Sequence, residues 1–128
     1  MSHDHHNYDA RCLFCRIVAG EIPSKKAYED DHLFAFHDIN PAAPVHMLII
    51  PKRHLATLFE ATEAERDLLG RMLALAPRLA ETHGAQGGFR TVINTGQDGG
   101  QEVYHLHLHV MGGPRPWKRA VNERAGVQ

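Results

Sequence analysis

Near the C-terminus three histidines alternate with apolar residues in the run His105-Leu106-His107-Leu108-His109-Val110-Met111. A strand has a side-chain period of two, so one face would carry the imidazoles and the other Leu106, Leu108 and Val110. Imidazole can serve as nucleophile, acid-base group or metal ligand near neutral pH. Three on one rigid strand point to a site, and two chemistries fit it. A His-x-His pair can hold zinc, with the remaining ligand from elsewhere. Alternatively, the middle imidazole attacks phosphorus while its neighbours orient the phosphate.

Upstream lies Asn94-Thr95-Gly96-Gln97-Asp98-Gly99-Gly100-Gln101-Glu102-Val103-Tyr104. Glycines let backbone amides approach an anion, and Asn94 and Gln101 can hydrogen-bond phosphate oxygens without adding charge. The chain has no Gly-x-x-x-x-Gly-Lys-Ser/Thr motif and no obvious cluster of magnesium-binding carboxylates. Charge at phosphorus would therefore be stabilised by neutral donors and imidazoles, and no catalytic metal is expected.

The glycine-rich turn joined to His-Leu-His-Leu-His resembles the signature of the histidine triad superfamily, whose members hydrolyse or transfer nucleotides at the α-phosphate. The resemblance runs from about Cys12 to about Gly113. Phe14-Cys15-Arg16-Ile17-Val18-Ala19-Gly20-Glu21-Ile22-Pro23 is similar to the family's N-terminal helix and following turn. Phe34-Ala35-Phe36-His37-Asp38-Ile39 and Pro44-Val45-His46-Met47-Leu48-Ile49-Ile50-Pro51-Lys52-Arg53-His54 resemble its second and third strands. Gly112-Gly113 and Trp117 are similar to the Hint branch, the purine-nucleoside phosphoramidases.

That resemblance implies hydrolysis of purine nucleoside 5′-phosphoramidates at the P–N bond, giving AMP or GMP and an amine. His107 would be the nucleophile and form a nucleotidyl-histidine intermediate, with His105 and His109 completing the catalytic trio. His46 and His109 would line the phosphate, with Asn94 and Gln101 as donors and Gly100 and Val103 from the same turn. Asp38 would accept hydrogen bonds from the ribose, and Phe36 and Ile39 would wall the purine. One position departs from the animal Hint pattern: Glu102 replaces a serine that contacts the phosphate. A carboxylate there would repel the anion, so Glu102 is expected to point elsewhere. Within the same superfamily the alternatives are a dinucleoside polyphosphate hydrolase, a nucleotidyl transferase, or a nucleotide-binding protein without catalysis.

The only cysteines form Cys12-Leu13-Phe14-Cys15. Such a pair can be a redox dithiol or half a zinc site. A redox motif would open a helix after a strand, whereas only a polar segment precedes this one. Some bacterial histidine triad proteins are similar here, and that likeness implies a structural zinc site of Cys12, Cys15, His54 and His105. The alternative is a reduced, partly buried pair without metal.

The elements that must carry these residues read as α+β. At 128 residues and 43% hydrophobic content the chain has room for one core. A formal charge of −1 supplies no electropositive field for nucleic acid, and no apolar run is long enough to span a membrane. Absence of a signal-like start and of a disulfide framework makes the cytoplasm the expected compartment. A short helix is expected over residues 13–19, and strands over 27–29, 32–37, 45–51, 89–94 and 103–111. Thr62-x-x-Glu65 is a capping box for a long helix reaching Thr82 through Pro77. These elements predict a meander of about five antiparallel strands with both helices on one face. Residues 1–10 and 114–128 are expected as tails around a domain over 11–113. The family resemblance adds a two-fold dimer with a continuous sheet and places Trp117 near the partner's pocket.

Overall fold

The computed structural model describes residues 7–117. Five strands form one antiparallel sheet: β1 (Lys26–Glu29), β2 (Leu33–His37), β3 (Val45–Pro51), β4 (Phe89–Val92) and β5 (Leu108–Gly112). Their spatial order is β1-β2-β3-β5-β4. The first three strands form a meander. β5 then inserts beside β3 and leaves β4 at the edge.

The register explains the two faces. Ala35 lies opposite Ile49, and Ile49 opposite Leu108; Phe36 lies opposite Leu48, and Leu48 opposite His109. With period-two alternation, Leu33, Ala35, Met47, Ile49, Leu108 and Val110 share one face. They pack under α2 (Arg66–Thr82) through Met72, Leu75, Ala76 and Leu79. Phe34, Phe36, Leu48 and Ile50 share the other face with Phe14, Cys15 and Ile17 of α1 (Leu13–Val18). The helices thus sit on opposite faces, correcting the one-face expectation. Both faces of β2 and β3 are apolar, so each needs a cover.

The long helix starts as its sequence requires. Thr62 caps a short 3₁₀ turn, Glu63–Glu65, and Glu65 reaches back to the Thr62 N–H to complete the capping box. From there α2 runs unbroken through Pro77, and Gly84 takes φ +100° just beyond its end.

Two strand boundaries differ from expectation by more than one residue. β4 ends at Val92 and β5 begins only at Leu108. Before Leu108 the chain leaves the ladder, and the Leu106 N–H donates instead to the Leu55 carbonyl at 2.7 Å. At the N-terminal side, order begins before residue 11. Asn7 and His54 exchange hydrogen bonds of 2.8 and 3.1 Å, and the Tyr8 hydroxyl donates to Glu21 at 2.7 Å. The rest of the expected tails, including Lys118, Arg119 and Arg124, lies outside the described residues. No helix among the described residues is long and apolar enough to cross a membrane.

Candidate active site

β5 and the segment before it carry the triad onto the α1 face. His105, His107 and His109 are 0%, 1% and 0% exposed, so their ring nitrogens must find partners inside the protein. Those partners fix the tautomers. His107 Nδ1 lies 2.7 Å from the His105 carbonyl. A carbonyl can only accept, so the proton sits on Nδ1 and Nε2 keeps its lone pair. His107 is therefore set in the nucleophilic form.

A second chain of bonds sets His109. The Ala42 N–H donates to His46 Nδ1 at 2.9 Å, which places the His46 proton on Nε2. That nitrogen is 2.9 Å from His109 Nδ1. His46 donates, His109 Nδ1 accepts, and His109 carries its own proton on Nε2. Burial pushes His46 down to about 4, which keeps the donor ring neutral near pH 7. Both nitrogens of His46 are thus spent on protein groups. In this arrangement His46 orients the His109 ring.

Asp38 stands behind this pair. Its Oδ1 accepts the Asn40 N–H at 2.8 Å, and its Oδ2 lies 3.4 Å from His46 Nε2. Burial raises the Asp38 carboxyl above its ordinary value. Phe36 is buried against Phe14 at 5.3 Å between ring centroids, whereas Ile39 is 86% exposed.

The glycine-rich turn is held by its own bonds. Gln101 Nε2 donates to the Ala56 and Val103 carbonyls at 2.8 and 3.0 Å, and Gln101 Oε1 accepts the Gly96 N–H at 2.9 Å. Its amide is committed here to shaping the turn. The Gly99 and Gly100 amides likewise donate within the turn, to Gly96 and Gln97 carbonyls. Gly99 is required there, because a Cβ would press into the Thr95 carbonyl. Asn94 is half-buried beside this turn, and Val103 packs on the α1 cluster.

The sequence reading missed Phe14 as a neighbour of the triad. Its ring packs edge-on against His107 at 5.2 Å and His105 at 6.0 Å. Its place between two cysteines was the available signal. Phe14 thus packs against the triad, and His107 Nε2 is shielded from solvent.

Beside the triad, Cys12, Cys15, His54 and His105 converge. His105 Nε2 lies 2.8 Å from the Pro51 carbonyl and so donates, leaving the Nδ1 lone pair for the cluster. That Nδ1 is 3.2 Å from Cys12 Sγ, 3.6 Å from Cys15 Sγ and 3.3 Å from His54 Nδ1. Cys15 Sγ is 3.4 Å from His54 Nδ1. A tetrahedral zinc with bonds of about 2.3 Å to sulfur and about 2.0–2.1 Å to nitrogen separates its ligand atoms by roughly 3.3–3.8 Å. The donor set and spacing fit that ion. Without one, burial pushes the Cys15 thiol up to about 12. A groove of about 460 Å³ opens over Cys12 and His54 and is also lined by Arg11, Tyr104 and the exposed Glu102. Trp117 folds onto its own chain, its Nε1–H donating to the Gly113 carbonyl at 3.1 Å and its ring facing Arg115 at 4.2 Å.

Comparison with known proteins adds four findings. The sequence profile of the HIT domain matches residues 19–115. A "14 kDa zinc-binding protein" from Brassica juncea is 50% identical over 103 residues, covering 79% of this chain and 91% of that one. A "purine nucleoside phosphoramidase" from Escherichia coli strain K12 is 45% identical over 102 residues, covering 79% and 86%. Among solved structures, a HIT family hydrolase from Legionella pneumophila superposes with a TM-score of 0.78 at 48% identity, covering 81% of this chain and 94% of that one.

Proposed function

This chain belongs to the HIT domain family, and from that membership we propose that it hydrolyses purine nucleoside 5′-phosphoramidates through a covalent nucleotidyl-histidine intermediate. The observation that carries the reading is the 2.7 Å bond from His107 Nδ1 to the His105 carbonyl, which leaves Nε2 as the attacking atom. A relative 45% identical to this chain bears the phosphoramidase name, and related structures are HIT family hydrolases.

In the first displacement His107 Nε2 forms a bond to the α-phosphorus as the P–N bond to the amine breaks. The departing nitrogen takes up one proton. That proton comes from solvent, while His109 Nε2–H, aimed by the His46 bond to its other nitrogen, donates a hydrogen bond on the triad face. In the second displacement water attacks the same phosphorus and the P–Nε2 bond breaks. The proton released by the water goes to solvent, and His107 leaves phosphorus with its Nδ1–H in place, so the starting tautomers are restored. Splitting one hard displacement into two easier ones suits imidazole, because its bond to phosphorus is labile.

The Cys12, Cys15, His54 and His105 cluster holds a structural zinc in this reading. A relative 50% identical to the chain carries a zinc-binding name, and the donor spacing fits. Bound there, zinc would cross-link the N-terminal segment to the sheet. Two reduced thiols suit the cytoplasm. Edge strand β4, with Phe89 exposed, and the exposed Leu73 of α2 support a homodimer.

Steady-state hydrolysis of AMP-lysine and AMP-tryptamine, compared with diadenosine polyphosphates by kcat/KM, tests the substrate class. The wild type should prefer the phosphoramidates. His107→Ala should lose turnover by several orders of magnitude while its circular dichroism and AMP affinity persist. A His107→Ala protein hydrolysing at the wild-type rate would remove the mechanism, and a preference for the polyphosphates would reassign the substrate.

A further inference from the structure

We infer that the Cys12, Cys15, His54 and His105 cluster is a positioning device for His107, so that a bound tetrahedral metal ion holds that ring in its attacking tautomer. The kinetic consequence rests on the reaction proposed above, whereas the structural consequence rests on geometry alone.

His105 has three bonding groups and sends each to a different neighbour. Its Nε2–H donates to the Pro51 carbonyl at 2.8 Å. Its Nδ1 faces Cys12 Sγ at 3.2 Å and His54 Nδ1 at 3.3 Å. Its backbone carbonyl accepts the His107 Nδ1–H at 2.7 Å. Ring and carbonyl belong to one fully buried residue. A constraint on the ring is therefore a constraint on the acceptor that sets the His107 tautomer. This stretch lies outside the β5 ladder, which starts at Leu108, so strand pairing does not fix the His105 carbonyl. Without metal, thiol–imidazole contacts are weak anchors. Metal entry exchanges them for directional bonds: two thiols lose their protons to solvent, and two thiolates and two imidazole lone pairs bind the ion.

A second contact acts in the same sense. Phe14 sits between the two cysteines and packs edge-on against His107 at 5.2 Å. Fixing both cysteines fixes the first turn of α1 and with it the Phe14 ring. The ion thus constrains His107 from its hydrogen-bond acceptor and from its packing neighbour. The chain's metal site and its nucleophile are one mechanical unit.

Full-length protein stripped by chelator, then reloaded with Zn²⁺ or Co²⁺, tests this. Co²⁺ should give the absorption bands of a tetrahedral thiolate site, and Cys12→Ser should abolish them. In ¹⁵N-histidine spectra, His107 should show one Nδ1–H tautomer when loaded and a mixture when stripped, with circular dichroism confirming that the fold persists. Stripping should lower kcat on the order of 10–100-fold, the range typical of losing a neighbour that orients a reactive group, with KM unchanged. If stripping unfolds the domain, His54→Gln removes one ligand while keeping Cys12, Cys15 and His105, and the same tautomer comparison decides. An identical His107 tautomer with and without metal, an effect confined to KM, or absent cobalt bands would each overturn the inference. Absence of turnover in every form would sink the proposed reaction but not the coupling, which the tautomer spectra read separately.

Discussion

At the residue scale the site is a set of tautomer decisions made by backbone groups. The His105 carbonyl sets His107, the Ala42 N–H sets His46, and His46 sets His109. Removing His46 would leave the buried Ala42 N–H without its acceptor, a loss of about 1–3 kcal/mol, and would release His109. The same residue gives a pH prediction. His46 sits at about 4 in the fold against an ordinary 6.5, so the unfolded chain binds the extra proton between those values. Its contribution to stability is complete above about pH 6.5 and is lost as pH falls toward 4. Urea midpoints measured at pH 7.5 and pH 5 should drop less in His46→Gln than in the wild type. An equal drop would show that His46 is not held neutral. None of these bonds was legible in the sequence, because each joins a side chain to a partner whose position only the fold supplies. The residue types were legible: alternating histidines mark a site whatever their partners.

At the element scale legibility followed length and period. β3 matches its expected span because it is an unbroken run, half-buried at Val45 and buried from His46 to Pro51, covered on both faces of the sheet. β5 was read too long, since alternation continues through His105 and Leu106 after ladder pairing has stopped. The face taken by α1 was not legible, because six residues make too few turns to show an apolar stripe. The capping box at Thr62 was legible because it is local chemistry. The Thr62 N–H and Arg53 hold the Glu65 carboxyl down at about 2. Its stabilising contribution is therefore present above about pH 4.5 and fades as pH falls toward 2. Thr62→Ala should lower stability by about 1 kcal/mol, read as a shifted urea midpoint. It should leave kcat unchanged, since α2 lies across the sheet from the triad. A fall in kcat at undiminished stability would contradict that separation.

At the scale of the whole molecule the sheet divides labour between its faces. The α2 face holds a continuous apolar cluster that includes Leu106, Leu108 and Val110, each contributing roughly 1.5–3 kcal/mol on burial. The α1 face holds the triad, Asp38, His46 and the cysteine–histidine cluster. One alternating segment serves both, so stability and chemistry are carried by adjacent residues of a single run. β4 leaves one sheet edge open among the described strands, and a dimer pairing there would extend the sheet. Light scattering should give twice the chain mass, and a monomer at micromolar concentration would remove that part of the proposal. The account as a whole stands on the attacking atom of His107. Rapid acid or alkali quench during turnover of an AMP-amine substrate, followed by peptide mapping, reads it most directly. The account predicts a nucleotidyl adduct on His107 that forms and decays at rates compatible with kcat. An adduct on another residue, or none while turnover proceeds by direct attack of water, would contradict it.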